Sequence, residues 1–281
     1  MSGFVFSVLS KLPFIREIAG KFARTDNRQY EVERDLRLLS AEMYFPRKAA
    51  QLRSLFVLLK PRKVIGINKI HVGAERDGGY VMLDDFASVS GAYSLGIADD
   101  VSWDLEMAKR NIKVEQFDYS ITKSPLAHPL FTFSQKKISK VSDILRGPET
   151  QRILKLDIEG SEWSFFETAS PEELRSFTQI VGEFHYFSFY YKPEWQLLAL
   201  RALQNLSKTH QLIHIHGNNG GHAFWADNIL IPDLIELTFV LRSEYRFEDT
   251  DETFPGALDF PNDPGKDDYQ LGPLLASGLC Q

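Results

Sequence analysis

The chain has 281 residues, of which 43% are hydrophobic and 25% charged, and its formal net charge is -6 at pH 7. A chain of this length can bury a sizeable core, and its acidic balance lacks the basic face that nucleic-acid binding requires, so we expect no nucleic-acid partner. The chain has a single cysteine, Cys280, which excludes an intrachain disulfide and a cysteine-based zinc site. No apolar run approaches the roughly 20 residues of a membrane span. The sequence therefore favours a cytoplasmic protein.

The first 24 residues combine apolar side chains at helical spacing with four basic ones. Their uninterrupted apolar core, residues 4–9, is too short for a signal peptide. We expect a helix that packs on its own domain. A peripheral contact of residues 1–24 with a membrane surface stays open as the alternative.

Three segments follow from the pattern of the whole chain. Helical periodicity continues to Pro61, which predicts a helical N-terminal extension over 1–62. Residues 63–245 read as an α/β domain. Residues 246–281 form an acidic, proline-containing C-terminal tail, and because 247–268 hold eight acids, three prolines and one lysine, we expect a solvated loop there without a further strand.

Short apolar runs alternate with helices in the α/β segment, which predicts a doubly wound, mostly parallel, Rossmann-like sheet. The runs are 92–97, 114–117, 153–156, 180–184, 212–215 and 237–241. Ser170 to Glu173 form a capping box with proline at the first helical position, and Pro193 opens a longer helix.

Polar residues at the ends of the first two runs are candidates for ligand binding, because ligands bind beyond the carboxyl ends of parallel strands. Gly96 would let a ligand approach the backbone, and Asp99 or Asp100 would accept a hydrogen bond from an amino-acid ammonium group or cap the next helix. Asp118, at the tip of the second run, suits a ribose diol. The first turn lacks Gly-x-Gly-x-x-Gly, which favours S-adenosylmethionine over NAD since there is no pyrophosphate to hold.

The strongest pattern is the run that ends in Asp157-Ile158-Glu159-Gly160-Ser161-Glu162. A buried strand would deliver Asp157 to the sheet edge, Gly160 would permit a tight turn, and Glu162 would lie in the first turn of a helix. Three acids around one glycine favour a functional site over a simple helix cap.

Two later strand ends carry Glu183-Phe184-His185 and His214-Ile215-His216, with Asn218 close behind. If they converge with Asp157, the resulting pocket contains imidazoles that could take a proton from a hydroxyl group. The same set could bind a divalent metal, although none is expected. For any single histidine, hydrogen-bonded support of the core is the commoner role.

These motifs together resemble the FkbM-type methyltransferase family, in its branch with a helical N-terminal extension. The resemblance covers residues 64 to 264 and is carried by Lys155-Leu156-Asp157-Ile158-Glu159-Gly160-Ser161-Glu162, Asp77-Gly78-Gly79-Tyr80, Gly96 to Asp104, Glu183-Phe184-His185, His214 to Asn219 and Leu258 to Asn262. It implies a class I methyltransferase with a seven-stranded sheet. It also implies S-adenosylmethionine as the cofactor and a sugar or secondary-metabolite hydroxyl, including that of a glycan, as the methyl acceptor.

The resemblance implies roles for the cofactor residues and Asp157, and the residue pattern itself supplies the other candidates. Gly96, Asp118 and the region of Asp143 would hold the amino-acid, ribose and adenine ends of the cofactor, and Asp157 would lie between cofactor and substrate. Candidate substrate contacts are Glu159, Glu183, Asn218 and Tyr80. His185 or His216 would be the general base, oriented by Asp157. Tyr80 would close over the cofactor, unless Asp77-Gly78-Gly79 is a plain hairpin turn.

Two other function classes stay open. Most class I methyltransferases have Gly-x-Gly-x-Gly at the first turn, where this chain has Gly96 and two aspartates. One alternative is therefore a methyltransferase fold that binds a ligand without turnover. The other is a metal-dependent hydrolase that uses the cluster of histidines and carboxylates.

Overall fold

A seven-stranded sheet forms the centre of the computed structural model, which describes residues 49–145, 150–226 and 229–272. The helix predicted within 1–24 and the part of the predicted helical extension before residue 49 lie outside the described residues, whereas the part from Ala49 to Phe56 is helical as predicted. The strands are β1 (Arg62–Val64), β2 (Lys69–Val72), β3 (Tyr80–Leu83), β4 (Gly91–Leu95), β5 (Val114–Phe117), β6 (Phe131–Ser134), β7 (Arg152–Leu156), β8 (Phe177–Phe184), β9 (His210–Gly217), β10 (Ala223–Ala226), β11 (Ile229–Pro232), β12 (Ile235–Leu241) and β13 (Phe247–Asp249).

Five α-helices are described, together with three short 3-10 turns. The helices are α1 (Ala49–Phe56), α2 (Ser102–Lys109), α3 (Glu162–Thr168), α4 (Pro171–Leu174) and α5 (Pro193–Ser207), and the turns are Val57–Leu59, Val141–Asp143 and Phe187–Tyr191. None of these helices is long and apolar enough to cross a membrane.

The predicted fold class is confirmed. The sheet has the order β6-β5-β4-β7-β8-β12-β9, and all its neighbours are parallel except β12, which is antiparallel to both β8 and β9. The chain winds outward from β4 in one direction and from β7 in the other. The crevice beyond the carboxyl ends of β4 and β7 is therefore a topological switch point, where ligands bind in folds of this kind.

Most of the predicted elements are present. Each of the six apolar runs overlaps one strand of the central sheet, the capping box at Ser170 forms with Glu173, and α5 begins at Pro193. The seventh strand, β6, pairs only with β5 at the edge of the sheet.

Different elements pack on the two faces of the sheet. Val181 packs with Trp103 of α2 and with Met82 of the β2–β3 hairpin. Because side chains alternate along a strand, Phe184 points to the opposite face, where its ring lies 5.2 Å from that of Trp163 on α3. Glu183 therefore shares the face of Val181, beside the hairpin.

The C-terminal segment differs from its prediction. The expectation of a solvated loop without a strand over 247–268 is wrong, because β13 pairs with β1 and Asp259 is held against His214 by a 2.7 Å hydrogen bond. The acids of this segment have partners on the sheet that its composition does not reveal. The predicted segment boundaries at residues 62 and 245 stay predictions.

Candidate active site at the carboxyl edge of the sheet

The turn after β7 carries the strongest sequence pattern, and its backbone conformation depends on a glycine. Gly160 has a φ of +92°, and a Cβ at this position would lie 2.0 Å from the Tyr186 ring. Glu162, fully buried in the first turn of α3 as predicted, accepts hydrogen bonds from the backbone N–H groups of Ile158 and Gly160 at 2.9 and 3.2 Å. The turn therefore holds the preceding Asp157 at the edge of the sheet.

His185 follows β8 directly and meets this turn. Its Nε2 lies 3.7 Å from Asp157 Oδ1, 3.6 Å from Glu159 Oε2 and 3.7 Å from Glu183 Oε2. Its Nδ1 lies 3.3 Å from Glu162 Oε1. The structure thus brings together three of the four residues that the sequence places around one pocket.

Trp163 fixes the position of His185. Its indole N–H donates a 2.7 Å hydrogen bond to the backbone carbonyl of His185. The indole ring is itself held by edge contacts with Phe184, Phe187 and Trp195 at 5.2 to 5.4 Å. Buried aromatic pairs of this kind contribute about 0.5–1.5 kcal/mol each beyond the area they bury. The imidazole therefore sits on a rigid support.

The carboxylates of the cluster create a negative electrostatic potential, which favours bound protons. Burial lowers the pKa of His185, but Glu162, Glu183 and Asp157 outweigh it and raise the pKa to about 10. Removal from bulk water raises the pKa of Asp157 to about 6 and that of Glu183 well above its ordinary value. Without a bound cation the imidazole carries its proton at neutral pH. The geometry therefore does not favour His185 as a general base.

His216 lies in a neighbouring cluster, apart from the pocket at Asp157. Its Nδ1 donates to Glu236 Oε2 at 3.0 Å and its Nε2 donates to Asp268 Oδ2 at 2.9 Å. Burial lowers the pKa of His216, but these two carboxylates raise it to about 11. Both ring nitrogens are engaged, so the structure favours a supporting role in which His216 holds the C-terminal segment on the sheet.

Asn218 and Tyr80 both lie against Glu183. Asn218 Nδ2 donates a 2.7 Å hydrogen bond to Glu183 Oε1. Tyr80 is buried as the first residue of β3, and its pKa is raised well above the ordinary value by burial and by nearby acids, of which Glu183 has the largest effect. The hairpin interpretation of Asp77 to Gly79 is confirmed by the pairing of β2 with β3, so Tyr80 is a strand residue and not part of a closing loop.

The first turn is built from internal contacts. Gly96 has a φ of +69°, and a Cβ there would lie 1.7 Å from the backbone oxygen of Asp157, so the glycine is required by the close approach of two strand ends. Lys155 Nζ donates to the Gly96 carbonyl at 2.6 Å. Sequence reasoning did not assign this buried lysine a role, although its place inside an apolar strand was a signal.

Asp118 stabilises this turn through hydrogen bonds. Its Oδ2 accepts from the N–H groups of Ile97 and Ala98 at 3.0 and 2.9 Å, and its Oδ1 accepts from the N–H and hydroxyl of Ser120 at 2.7 and 2.6 Å. Four hydrogen bonds fill the acceptor capacity of a carboxylate. A ribose would have to displace one of these bonds, and the ribose role stays a prediction.

The other two proposed cofactor residues lie at the surface. Asp99 is exposed at the tip of the first turn. Asp143 Oδ2 accepts from the backbone N–H groups of Ser139 and Lys140 at 3.1 and 3.2 Å, which stabilises its own 3-10 turn. Their contacts with a cofactor stay predictions.

A metal ion could be held at one place among the described residues. One ligand atom each from Asp157, Glu159 and His185 lie within 4.8 Å of one another. Glu183 Oε2 extends this set from the buried side.

Comparison with known proteins adds little to this geometry. No protein-family model and no curated protein matches the chain, so the resemblance to the FkbM-type family stays a prediction. A solved structure with some similarity is that of a candidate methyltransferase from Thermoplasma acidophilum, which is 6% identical, has a TM-score of 0.29, and aligns over 54% of this chain and 68% of that chain. The fold assignment rests on the strand order described above.

Proposed function

We propose that this chain is an S-adenosylmethionine-dependent methyltransferase that methylates a hydroxyl group of a small molecule, a sugar or a secondary metabolite. The observation that carries the proposal is the position of Asp157, beyond the switch point of the sheet and in a cluster with Glu159, Glu183 and His185. Ligands of open α/β sheets bind at this position.

The charge of the site suits the donor. The cofactor supplies a methyl group on a positively charged sulfonium, and exposed carboxylates at the mouth of the crevice attract a cation of this kind. Asp157 and Glu159 face that mouth, with side chains 31% and 77% exposed. The residues present therefore fit the cationic end of the cofactor better than its ribose.

The reaction requires alignment more than covalent chemistry. A bond forms between the acceptor oxygen and the methyl carbon, the carbon–sulfur bond breaks, and the hydroxyl proton passes to a carboxylate of the site. Holding the reactants in line can contribute about 7–11 kcal/mol to the lowering of the barrier. Asp157 and Asn218, each fixed by neighbouring strand ends, are the residues we assign to orientation of the acceptor.

Calorimetric titration with S-adenosylmethionine and S-adenosylhomocysteine tests the proposal. We expect micromolar binding, weakened about tenfold in Asp99→Asn, because a charge-assisted hydrogen bond contributes about 1.5–3 kcal/mol and 1.4 kcal/mol is tenfold. Glu172→Gln, which removes a carboxylate with a 79% exposed side chain, is the matched control and should bind as the parent protein does. No binding of either compound, with and without divalent metal, would refute the proposal.

A second candidate is a methyltransferase fold that binds a ligand without turnover. The observation that favours it is the saturated Asp118 carboxylate, which offers no acceptor for a ribose. Under this alternative neither cofactor form binds, while the protein retains the fold and the pocket. The same titration separates the two.

A further inference from the structure

We propose that Asp157, Glu159 and His185 bind a divalent metal ion, with Glu183 as a fourth ligand from the buried side. The expected ion is one that accepts mixed nitrogen and oxygen ligands, and Mn²⁺ is the probe of choice. This inference goes beyond methyl transfer, since the site is defined by its own side chains.

The first observation is an unsatisfied imidazole. The His185 side chain is only 6% exposed, yet its Nε2 lies beyond hydrogen-bond distance from the three nearest carboxylates, at 3.6 to 3.7 Å. Asp157 Oδ1, one of the three nearest oxygens, is buried without a hydrogen-bond partner. Buried polar groups in native proteins are nearly always paired, and an unpaired one costs about 1–3 kcal/mol. Asp157 Oδ1 and His185 Nε2 face one another across 3.7 Å without a hydrogen bond, which indicates a missing partner between them.

The second observation is the spacing of these atoms. His185 Nε2 is nearly equidistant from oxygens of Asp157, Glu159 and Glu183. Metal–ligand bonds of about 2.1 Å place neighbouring ligand atoms roughly 3.0–3.5 Å apart. The separations of the three oxygens from Nε2, 3.6 to 3.7 Å, lie just above that range, and the ligand atoms of Asp157, Glu159 and His185, one from each residue, all lie within 4.8 Å of one another. The exposed Glu159 side chain can move to shorten its own separations.

The third observation is a comparison within the same chain. His216 also lies between carboxylates at the carboxyl edge, but it makes hydrogen bonds of 3.0 and 2.9 Å to Glu236 and Asp268. A protonated imidazole among acids therefore closes onto them when nothing intervenes. The three carboxylates near His185 Nε2 instead stay 3.6 to 3.7 Å away, beyond hydrogen-bond distance, as expected if a cation binds among them.

The charge of the cluster also supports binding of a cation. Four carboxylates, those of Asp157, Glu159, Glu162 and Glu183, surround one imidazole. Even a protonated histidine leaves an excess of negative charge. Bound divalent ions are often the largest local charge in such sites and stabilise the ionised carboxylates.

The ligand types narrow the choice of metal. Carboxylates suit Mg²⁺, Ca²⁺ and Mn²⁺, whereas an imidazole ligand favours transition metals. Because Glu159 is 77% exposed, one side of the site is open, and water or an acceptor hydroxyl could occupy the remaining positions. That last use of the metal rests on the proposed function, but binding of the metal does not.

The test is titration of chelator-treated, metal-free protein with Mn²⁺, in which loss of the free-ion electron paramagnetic resonance signal measures binding. We expect about one ion per chain in the micromolar range, displaced by Zn²⁺. Glu159→Gln should weaken binding at least about tenfold, which corresponds to one ligand bond of about 1.4 kcal/mol. This variant changes an exposed side chain, so loss of folding is not expected.

Two further variants sharpen the result. His185→Gln should weaken Mn²⁺ binding more than Glu159→Gln does, and should also remove the nitrogen hyperfine coupling of the bound ion. Glu172→Gln removes one exposed carboxylate that is not among the proposed ligands, and it should bind Mn²⁺ as the parent protein does.

Two outcomes would overturn the inference. One is failure of both Mn²⁺ and Zn²⁺ to bind at about 1 mM, which corresponds to only about 4 kcal/mol of binding free energy. The other is equal binding by the parent protein, Glu159→Gln and His185→Gln. Titration of the same metal-free samples with S-adenosylmethionine keeps the two proposals separate, because either ligand can bind when the other does not.

Discussion

The variant Asp118→Asn tests whether the Asp118 carboxylate stabilises the first turn or is available to bind a ribose. In the structure its two oxygens accept four hydrogen bonds, two of them from the N–H groups of Ile97 and Ala98. Asparagine keeps one acceptor oxygen and turns an NH₂ group toward two donors. Two bonds to a charged acceptor, at about 1.5–3 kcal/mol each, are lost, so we expect the free energy of unfolding to fall by about 3 kcal/mol after relaxation of the turn.

Urea unfolding at pH 7, followed by tryptophan fluorescence and far-UV circular dichroism, measures this change. The control is Asp99→Asn, which makes the same charge change in the same turn at an exposed position and should stay within about 0.5 kcal/mol of the parent protein. If Asp118→Asn also changes the free energy of unfolding by less than about 0.5 kcal/mol, the four hydrogen bonds do not stabilise the turn. The carboxylate would then be available to a ribose, and the reasoning above would be refuted.

The pH dependence of the stability difference between the parent protein and Asp118→Asn gives a second test. Burial raises the pKa of Asp118, but hydrogen bonds from Ser120, Ala98 and Ile97 outweigh it and hold the pKa below its ordinary value of 3.8. Stability from a carboxyl group with a depressed pKa is present above the unfolded value and is lost as the pH falls through the folded value. The difference between the parent protein and Asp118→Asn should therefore shrink as the pH falls below 3.8.

Two further predictions concern other parts of the fold. Gly160→Ala introduces a Cβ at a φ of +92° and 2.0 Å from the Tyr186 ring, so the free energy of unfolding should fall by about 2 kcal/mol or more; an unchanged urea midpoint would show that the turn does not require glycine. His210 is buried, with Nε2 donating to the Phe177 carbonyl, and burial lowers its pKa from 6.5 to about 4. Protonation therefore opposes folding, and up to about 3 kcal/mol of stability should be lost between pH 6.5 and pH 4. His210→Gln should flatten this part of a urea-unfolding series across pH, and equal slopes for both proteins would contradict the assignment.

The elements of the sheet could be predicted because most of its strands are buried on both faces. A central parallel strand reads as a mostly apolar run, as 153–156 does, and β7 covers that run with the bounds Arg152–Leu156. β6 was missed because its four residues, Phe131–Ser134, are only partly buried and include no continuous apolar run. β9 lies at the other edge of the sheet but is buried throughout, and it was predicted. Local pattern thus identifies buried strands better than partly exposed ones.

The grouping of Asp157, Glu183 and His185 could be predicted for a geometric reason. β7 and β8 are parallel neighbours, so their carboxyl ends meet at the same edge of the sheet. His216 was included in that group on the condition that the end of its strand converges with the ends of β7 and β8. In the structure β12 lies between β8 and β9.

The insertion of β12 explains why the two histidines have different surroundings. Its Glu236 pairs in register with Glu183 on one side and with His216 on the other. Glu236 is thereby placed to accept from His216 Nδ1, and Asp268 of the C-terminal segment accepts from its Nε2. Nothing in the local sequence of β9 specifies these partners, which come from strands and loops later in the chain.

The C-terminal segment likewise shows that amino-acid composition does not predict which acids are buried and paired. Eight acids among 22 residues predict a solvated tail when each is considered alone, because an isolated buried carboxylate is costly. Asp259 and Asp268 avoid this cost by pairing with His214 and His216 on β9. With His216 satisfied by that segment, the unpaired polar atoms of this edge are concentrated around His185 and Asp157, where a ligand can supply what the chain does not.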